Sequence, residues 1–201
     1  PELVNSLKSQ TFKRWEVKFV DGDSNVYHKK WLQKLSLDDN RFKIVNETKK
    51  KKGIYLAMNI GCKDIGENDW IIFMGSDDTL NKKNSLEILA DNIRKESKKN
   101  LSLVISNANV INPKRKKVIR RNYVPNQRLI DNIELSNLFF RGYVPAHQAV
   151  CFSSEVLKNI QLREPTDKVQ GQTGAITGKA LQGAIDIGTL AASGIGDFLL
   201  E

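Results

Sequence analysis

Gly53-Ile-Tyr-Leu-Ala-Met-Asn-Ile-Gly61 and, after eight further residues, Trp70-Ile-Ile-Phe-Met-Gly-Ser-Asp77-Asp78 put two adjacent carboxylates at the exit of a buried strand. In the first stretch Ile54, Ala57, Met58 and Gly61 recur at helical spacing, which predicts a short amphipathic helix with those four on one face. The second stretch is a continuous apolar run ended by glycine, too short for a helix, and reads as a strand buried on both faces. Gly75 permits a tight turn there, leaving Asp77 and Asp78 at the strand's carboxyl end, where ligands of open α/β sheets bind. Oxygen-only ligands favour Mg²⁺ or Mn²⁺ over zinc. The pair also admits a plainer reading, as residues that begin a turn or cap the helix entered at Asn81 to Ser85.

Outward from this centre the chain alternates strand and helix. Leu3, Val4 and Leu7 mark a helix that packs on a sheet, Val17 to Val20 a strand, and Lys29 to Leu37 a helix carrying Trp31, Leu32 and Leu35 at helical spacing. Phe42 to Val45 is a short strand. Beyond the aspartates, Leu86, Leu89, Ala90 and Ile93 trace a helix with Asn84 or Ser85 as N-cap. Leu101 to Ile105 predicts a further strand, Val118 to Tyr123 an edge strand, and Leu135 to Phe140 and Ser153 to Ile160 two helices. Such alternation implies a mostly parallel, twisted sheet covered on both faces.

With 201 residues the chain suits one domain with an appendage and can bury most of the surface it exposes when unfolded. Cys62 and Cys151 lie in apolar contexts without a C-x-x-C or histidine neighbour, so neither a disulfide framework nor a zinc site is indicated. No signal peptide opens the chain and no window of about 18 residues lacks charge, which points to an intracellular, cytoplasmic protein. The net charge of +9 gathers at Lys49 to Lys52, at Lys114 to Lys117 with Arg120 and Arg121, and along the helix from Asn84 to Lys99. Solvated loops account for such runs, and so does attraction to anionic phospholipid at the inner face of a membrane. Nucleic acid is disfavoured, since no helix-turn-helix, RRM or zinc pattern accompanies the charge and few aromatics interleave it.

The central stretch resembles the GIYDAMN…G-(W/Y)-I-x-F-L-x-x-D-D signature of family 2 glycosyltransferases, GT-A enzymes that transfer a sugar from a nucleotide sugar. Three more pieces match in order: Ser6-Leu-Lys-Ser-Gln10-Thr-Phe12 the S-(I/V)-x-x-Q-T-(Y/F) helix end, Glu16 to Ser24 the second strand with its D-G-(G/S)-S turn, and Pro145 to Phe152 the P-x-H-Q-x-x-F segment. The resemblance runs from about residue 3 to about residue 160. It implies a GT-A-like αβα sandwich over 1–160, lacking its first strand, followed by a Gly/Ala-rich tail over 161–201.

By that resemblance, Asp77 and Asp78 share ligation of Mn²⁺ or Mg²⁺ and contact with the ribose hydroxyls, and Asp21 accepts a hydrogen bond from the base, usually uracil. Gly22 and Ser24 shape the turn around Asp21, although a strand-end Asx turn is an alternative there. Gly53, Tyr55 and Asn59 belong to the donor cleft, and His147 and Gln148 to the loop closing over metal and acceptor. The implied partners are a nucleotide-sugar donor and a saccharide or lipid-linked acceptor.

Two departures bear on activity. The chain begins inside the first helix, where the family places a strand with a T-x-x-N or P-x-Y-N turn; a fragment or a miscalled start accounts for this. Near Leu162 the composition breaks, with seven of thirteen glycines falling between 171 and 196. The family's D-(Y/W)-D segment with the catalytic base is absent from Gln161 to Gln172, leaving Glu164 and Asp167 as the nearby carboxylates. Leu56 also stands where GIYDAMN has its aspartate. The readings carried forward are an inverting glycosyltransferase of cell-surface polysaccharide synthesis, a truncated homologue that binds nucleotide without turnover, and a nucleotidyltransferase. The last lacks the expected G-x-x-x-x-G-K-(S/T) loop. The tail is expected to make few contacts with the sheet.

Overall fold

The computed structural model describes residues 2–46, 54–96, 101–112, 114, 117–122, 129–130, 137, 145–159 and 197–200. Helices α1 (Glu2–Lys8), α2 (Val26–Asp38), α3 (Ile54–Gly61), α4 (Ser85–Glu96) and α5 (Ser154–Asn159) alternate with strands β1 (Val17–Asp21), β2 (Phe42–Asn46), β3 (Trp70–Ile72), β4 (Leu103–Ser106), β5 (Ala108–Asn112), β6 (Lys117–Asn122), β7 (Leu129–Ile130), β8 (Val150–Ser153) and β9 (Asp197–Leu200). The predicted helix over Leu135 to Phe140 lies almost wholly outside the described residues.

Period-two alternation sorts β1 between two helical layers. Val17 and Phe19 pack on a cluster built from Leu3, Val4 and Leu7 of α1, Leu35 of α2 and Phe42 of β2. On the opposite face Val20 meets the end of α3, where a Cβ added at Gly61 would lie 3.6 Å from its Cγ2. The helix therefore seats flat on the strand. A second cluster joins Leu101, Val104 and Cys151 to Trp70 and Ile72 of β3 and to Ile88, Leu89 and Ile93 of α4, which thus covers one face of the central sheet.

The layers are those of the expected α/β sandwich, but the sheet is mixed rather than mostly parallel. β1 and β2 pair in parallel from Val17↔Phe42 to Asp21↔Asn46, forming a group of their own. The central group runs β3-β8-β4-β9-β7. β8 is antiparallel to both β3 and β4. Its direction follows from its approach: the chain re-enters through a turn at the carboxyl end of β3 and must run back. β5 and β6 form a separate antiparallel ribbon with a bulge at Val110/Ile111. The tail also differs from expectation at its end, since β9 pairs parallel with β4 and antiparallel with β7.

Helix α3 buries a different residue from those its pattern singles out. Ile54 is 58% exposed, and the buried side chain is Ile60. Burial raises the Cys151 thiol well above its ordinary pKa, and burial raises Cys62 too, with nearby Lys18 opposing it. Both behave as reduced packing residues.

Gln10 fastens the helical layer to the chain beyond the aspartates. Its side chain is fully buried, its amide nitrogen donates to Ser6 O (3.0 Å) and Lys82 O (2.8 Å), and its oxygen accepts from Leu86 N–H at 3.1 Å. Leu86 lies in the first turn of α4, where backbone N–H groups lack helical partners, so Gln10 acts as a cap supplied from another element. Thr11 adds two bonds, from its N–H to Lys83 O (2.8 Å) and from its hydroxyl to Glu87 (2.6 Å). Gln10→Met keeps the volume, strands the Leu86 N–H, leaves Ser6 O to the Ser9 hydroxyl and Lys82 O to the Ser85 N–H, and is expected to lower folding stability by about 2 kcal/mol. Urea unfolding measures this; an unchanged midpoint would mean that water replaces the amide.

Candidate functional site

The turn after β3 is closed by its own carboxylate. Gly75 N–H donates to Asp78 Oδ2 at 2.6 Å, and Asp78 N–H donates back to Gly75 O at 3.1 Å. A Cβ at Gly75 would come 2.8 Å from Asp77 Oδ1 and 3.1 Å from Asp78 Oδ2. Both aspartates therefore fold over the same α-carbon, and only glycine leaves room for them. Asp77 is exposed and Asp78 half-buried. Asp78 spends one oxygen on the turn and keeps the other; the turn-forming and ligand-holding readings of this pair are compatible.

Met74, just before the turn, and Leu80 and Leu86 after it pack on the α1–Phe42 cluster. Leu80 N–H also donates to Ser6 Oγ at 3.3 Å. The turn is thus anchored on both sides.

His147 and Gln148 leave the sheet at the same end. They lie in a 3₁₀ turn (His147–Ala149) that runs directly into β8, and the pairing Ile72↔Cys151 sets the start of β8 against the end of β3. Ser106, at the carboxyl end of β4, donates its hydroxyl to Ala149 O at 3.0 Å and holds this turn. His147 is exposed and Gln148 half-buried.

The other half of the predicted site lies at the end of β1. Asp21 is 6% exposed and accepts from Ser24 N–H at 3.0 Å, so Ser24 contributes its backbone, as in an Asx turn. The turn's left-handed residue is Asp23 (φ 75°), next to Gly22. Asp23 pairs with Lys29 at 2.6 Å in α2. The Lys29 ammonium is raised in pKa chiefly by this hydrogen bond, with Asp21 adding attraction. Asn25 Oδ1 caps α2 by accepting from His28 N–H at 2.9 Å.

Tyr55 and Asn59 are half-buried in α3, the helix that rests on β1. Gly53, Glu164 and Asp167 lie outside the described residues. The structure thus gathers Asp77, Asp78, His147 and Gln148 at one end of the central sheet, and Asp21, Gly22 and Ser24 at the end of β1. β1 and β3 belong to different hydrogen-bonded groups, so the two carboxylate sites do not stand on paired strands. Ser106 and Gln10 were not singled out as site supports from sequence; Gln10 stood only as part of a pattern.

Among the described residues no group of three or more His, Cys, Asp or Glu side chains could hold a metal by itself. Two adjacent carboxylates still fit Mg²⁺ or Mn²⁺ bound jointly with a substrate's phosphates, since Mg²⁺ is held by one or two carboxylates and keeps several waters. No helix among the described residues is long and apolar enough to cross a membrane.

The crystal structure of S. aureus TarS 1-349 is similar in fold, with a TM-score of 0.60 at 19% identity over 83% of this chain. The chain spans 46% of that structure's length. No curated protein matches it. The sequence profile of glycosyl transferase family 2 matches residues 1–147, which include the Gln10 staple, the Asp21 turn, the α3 helix and the Asp77-Asp78 turn, and the chain belongs to that family.

Proposed function

We propose that this domain transfers a sugar, with inversion, from a nucleoside-diphosphate sugar to a saccharide or lipid-linked acceptor in cell-surface polysaccharide synthesis. The observation that carries this reading is the Gly75–Asp78 turn, where two carboxylates fold over one glycine at the exit of β3 in a chain of this family. In the proposed arrangement Asp77 and Asp78 hold Mn²⁺ or Mg²⁺. A divalent cation at that position supplies Lewis-acid stabilisation to the leaving diphosphate.

The chain's own residues do the rest. Buried Asp21 accepts a hydrogen bond from the base, which we take to be uracil, while Gly22 and Ser24 let the turn pass beside it. Tyr55 and Asn59, with Gly53 at the helix entrance, face the donor. His147 and Gln148 sit on the acceptor side. An inverting displacement also needs a carboxylate to take the acceptor hydroxyl's proton, and Glu164 and Asp167 are the candidates.

One observation favours a second reading, binding of nucleotide without turnover: Gln161 to Gln172 carries no D-(Y/W)-D pattern. Calorimetry with UDP separates the possibilities. Affinity is expected to rise at least about tenfold, or 1.4 kcal/mol, on replacing chelator by Mn²⁺, and UDP release from UDP-sugars then reports turnover. Equal affinity with metal and chelator removes the Asp pair from nucleotide binding, and binding without UDP release establishes the second reading.

A further inference from the structure

Outside one stretch the chain's basic and acidic residues balance. Between Glu96 and Asp131 there are nine basic and no acidic residues; removing those nine from the 32 lysines and arginines leaves 23, against 23 acidic residues. The rest of the molecule is therefore neutral, and residues 97–130 carry the whole +9.

Within this stretch the described structure includes the β5–β6 ribbon, which belongs to neither of the other strand groups. Val110, Ile111, Val118 and Ile119 are 46%, 48%, 42% and 64% exposed. Lys114 and Lys117, near the tip, are exposed as well. The register sets Ile111 across from Val118, so these two share one face of the ribbon, while Val110 and Arg120 pair on the other. A surface built only to stay soluble needs no such exposed aliphatic pair, and one built for a phosphate polymer has no use for it. Nucleic-acid surfaces stack bases on aromatic rings, and neither β5 nor β6 contains an aromatic residue.

We propose that the β5–β6 ribbon docks this domain on an anionic phospholipid surface, Lys114 and Lys117 at its tip on the headgroup phosphates and the cross-strand pair Ile111 and Val118 at the boundary with the acyl chains. This division of labour is that of interfacial elements, in which buried apolar area and attraction to anionic lipid add. Long basic side chains can lie along the apolar surface and keep their charges in the headgroup layer. The inference goes beyond the proposed reaction and does not depend on it, since a catalytically silent chain would dock equally well.

Sedimentation with vesicles tests it. The 201-residue chain is expected to bind vesicles of phosphatidylglycerol mixed with phosphatidylcholine, to bind poorly to phosphatidylcholine alone, and to release as salt rises. Lys114→Gln with Lys117→Gln should lower the partition coefficient about fivefold for each charge removed. Ile111→Ser with Val118→Ser should lower it several-fold while leaving the salt dependence unchanged. All four positions are exposed, so both double variants are expected to melt at the wild-type temperature; the lysine pair removes no packing and keeps the test valid if the serine pair unfolds. Equal binding to neutral and anionic vesicles overturns the proposal. So does an undiminished affinity of the serine pair, which would mark a surface for soluble polyanions. Self-association abolished by the serine pair, without vesicle binding, would assign the ribbon to a second copy of the chain.

Discussion

Asp78→Ala is expected to slow sugar transfer by about a hundredfold or more, and Asp78→Asn by nearly as much with the fold intact. The two substitutions separate two duties. Asp78 accepts the Gly75 N–H through Oδ2 and leaves its other oxygen for a cation. An asparagine carbonyl can still accept that N–H, so the turn survives, but the negative charge is gone. Metal stabilisation of a leaving group is worth several kcal/mol, and about 2.7 kcal/mol corresponds to a hundredfold in rate. Gly75→Ala supplies a complementary perturbation: its methyl would stand 2.8 Å from Asp77 Oδ1 and 3.1 Å from Asp78 Oδ2, displacing both carboxylates without removing either. Steady-state kinetics across a Mn²⁺ titration measures all three, and Gly75→Ala should raise the Mn²⁺ concentration needed for half-maximal rate. If Asp78→Asn keeps activity close to wild type, the residue closes the turn and nothing more.

Phe42→Ala is expected to cost about 4 kcal/mol of folding stability, a large share of what a domain of this size has to lose. Phe42 is 1% exposed, meets Trp15 edge-on at 5.4 Å between ring centroids and stacks on Phe19 at 6.0 Å. It also closes the cluster of α1 and α2 side chains, so an alanine leaves a cavity that three elements border. Chemical denaturation gives the value. A loss below about 1 kcal/mol would mean that the cluster collapses freely around the gap.

Much of this architecture was legible because burial writes a period into the chain. The apolar runs at Val17, Phe42 and Trp70 and the helical spacing of Leu86, Leu89 and Ile93 led to β1, β2, β3 and α4 near their observed bounds. Four strands were missed, the two-residue β7 (Leu129–Ile130) because it is too short to show a period, and the other three for separate reasons. Pro145 to Phe152 was noticed as a motif, and the three apolar residues Val150 to Phe152, between a 3₁₀ turn and Ser153 before a helix, show no alternation that would mark β8. Asn109 and Asn112 disguise β5, whose neighbours are exposed on both faces of a ribbon. β9 lies in a Gly/Ala-rich tail where pairing depends on distant partners. Of the face predicted for α3, Ala57, Met58 and Gly61 are half-buried and Gly61 meets Val20, while Ile54 at the helix entrance is exposed and Ile60, outside the pattern, is the buried side chain. Of the site, the aspartates and His147 were visible as chemistry. Gln10 was visible only as part of a pattern, since nothing local announces that an amide just past one helix caps another 76 residues away.

The division of β1 and β3 between separate hydrogen-bonded groups bears on how the site is held together. Backbone ladders fix spacing rigidly; packed side chains fix it through rotamers. Since Asp21 sits on one ladder and the Asp77-Asp78 turn on the end of another, the gap between them is calibrated by Met74, Leu80 and Leu86 against α1 and Phe42, and by the three bonds of Gln10. Trimming one of these contacts is then a means of retuning the span between the two carboxylate turns, and under the proposed nucleotide-binding arrangement substrate preference would drift through residues that never touch the substrate.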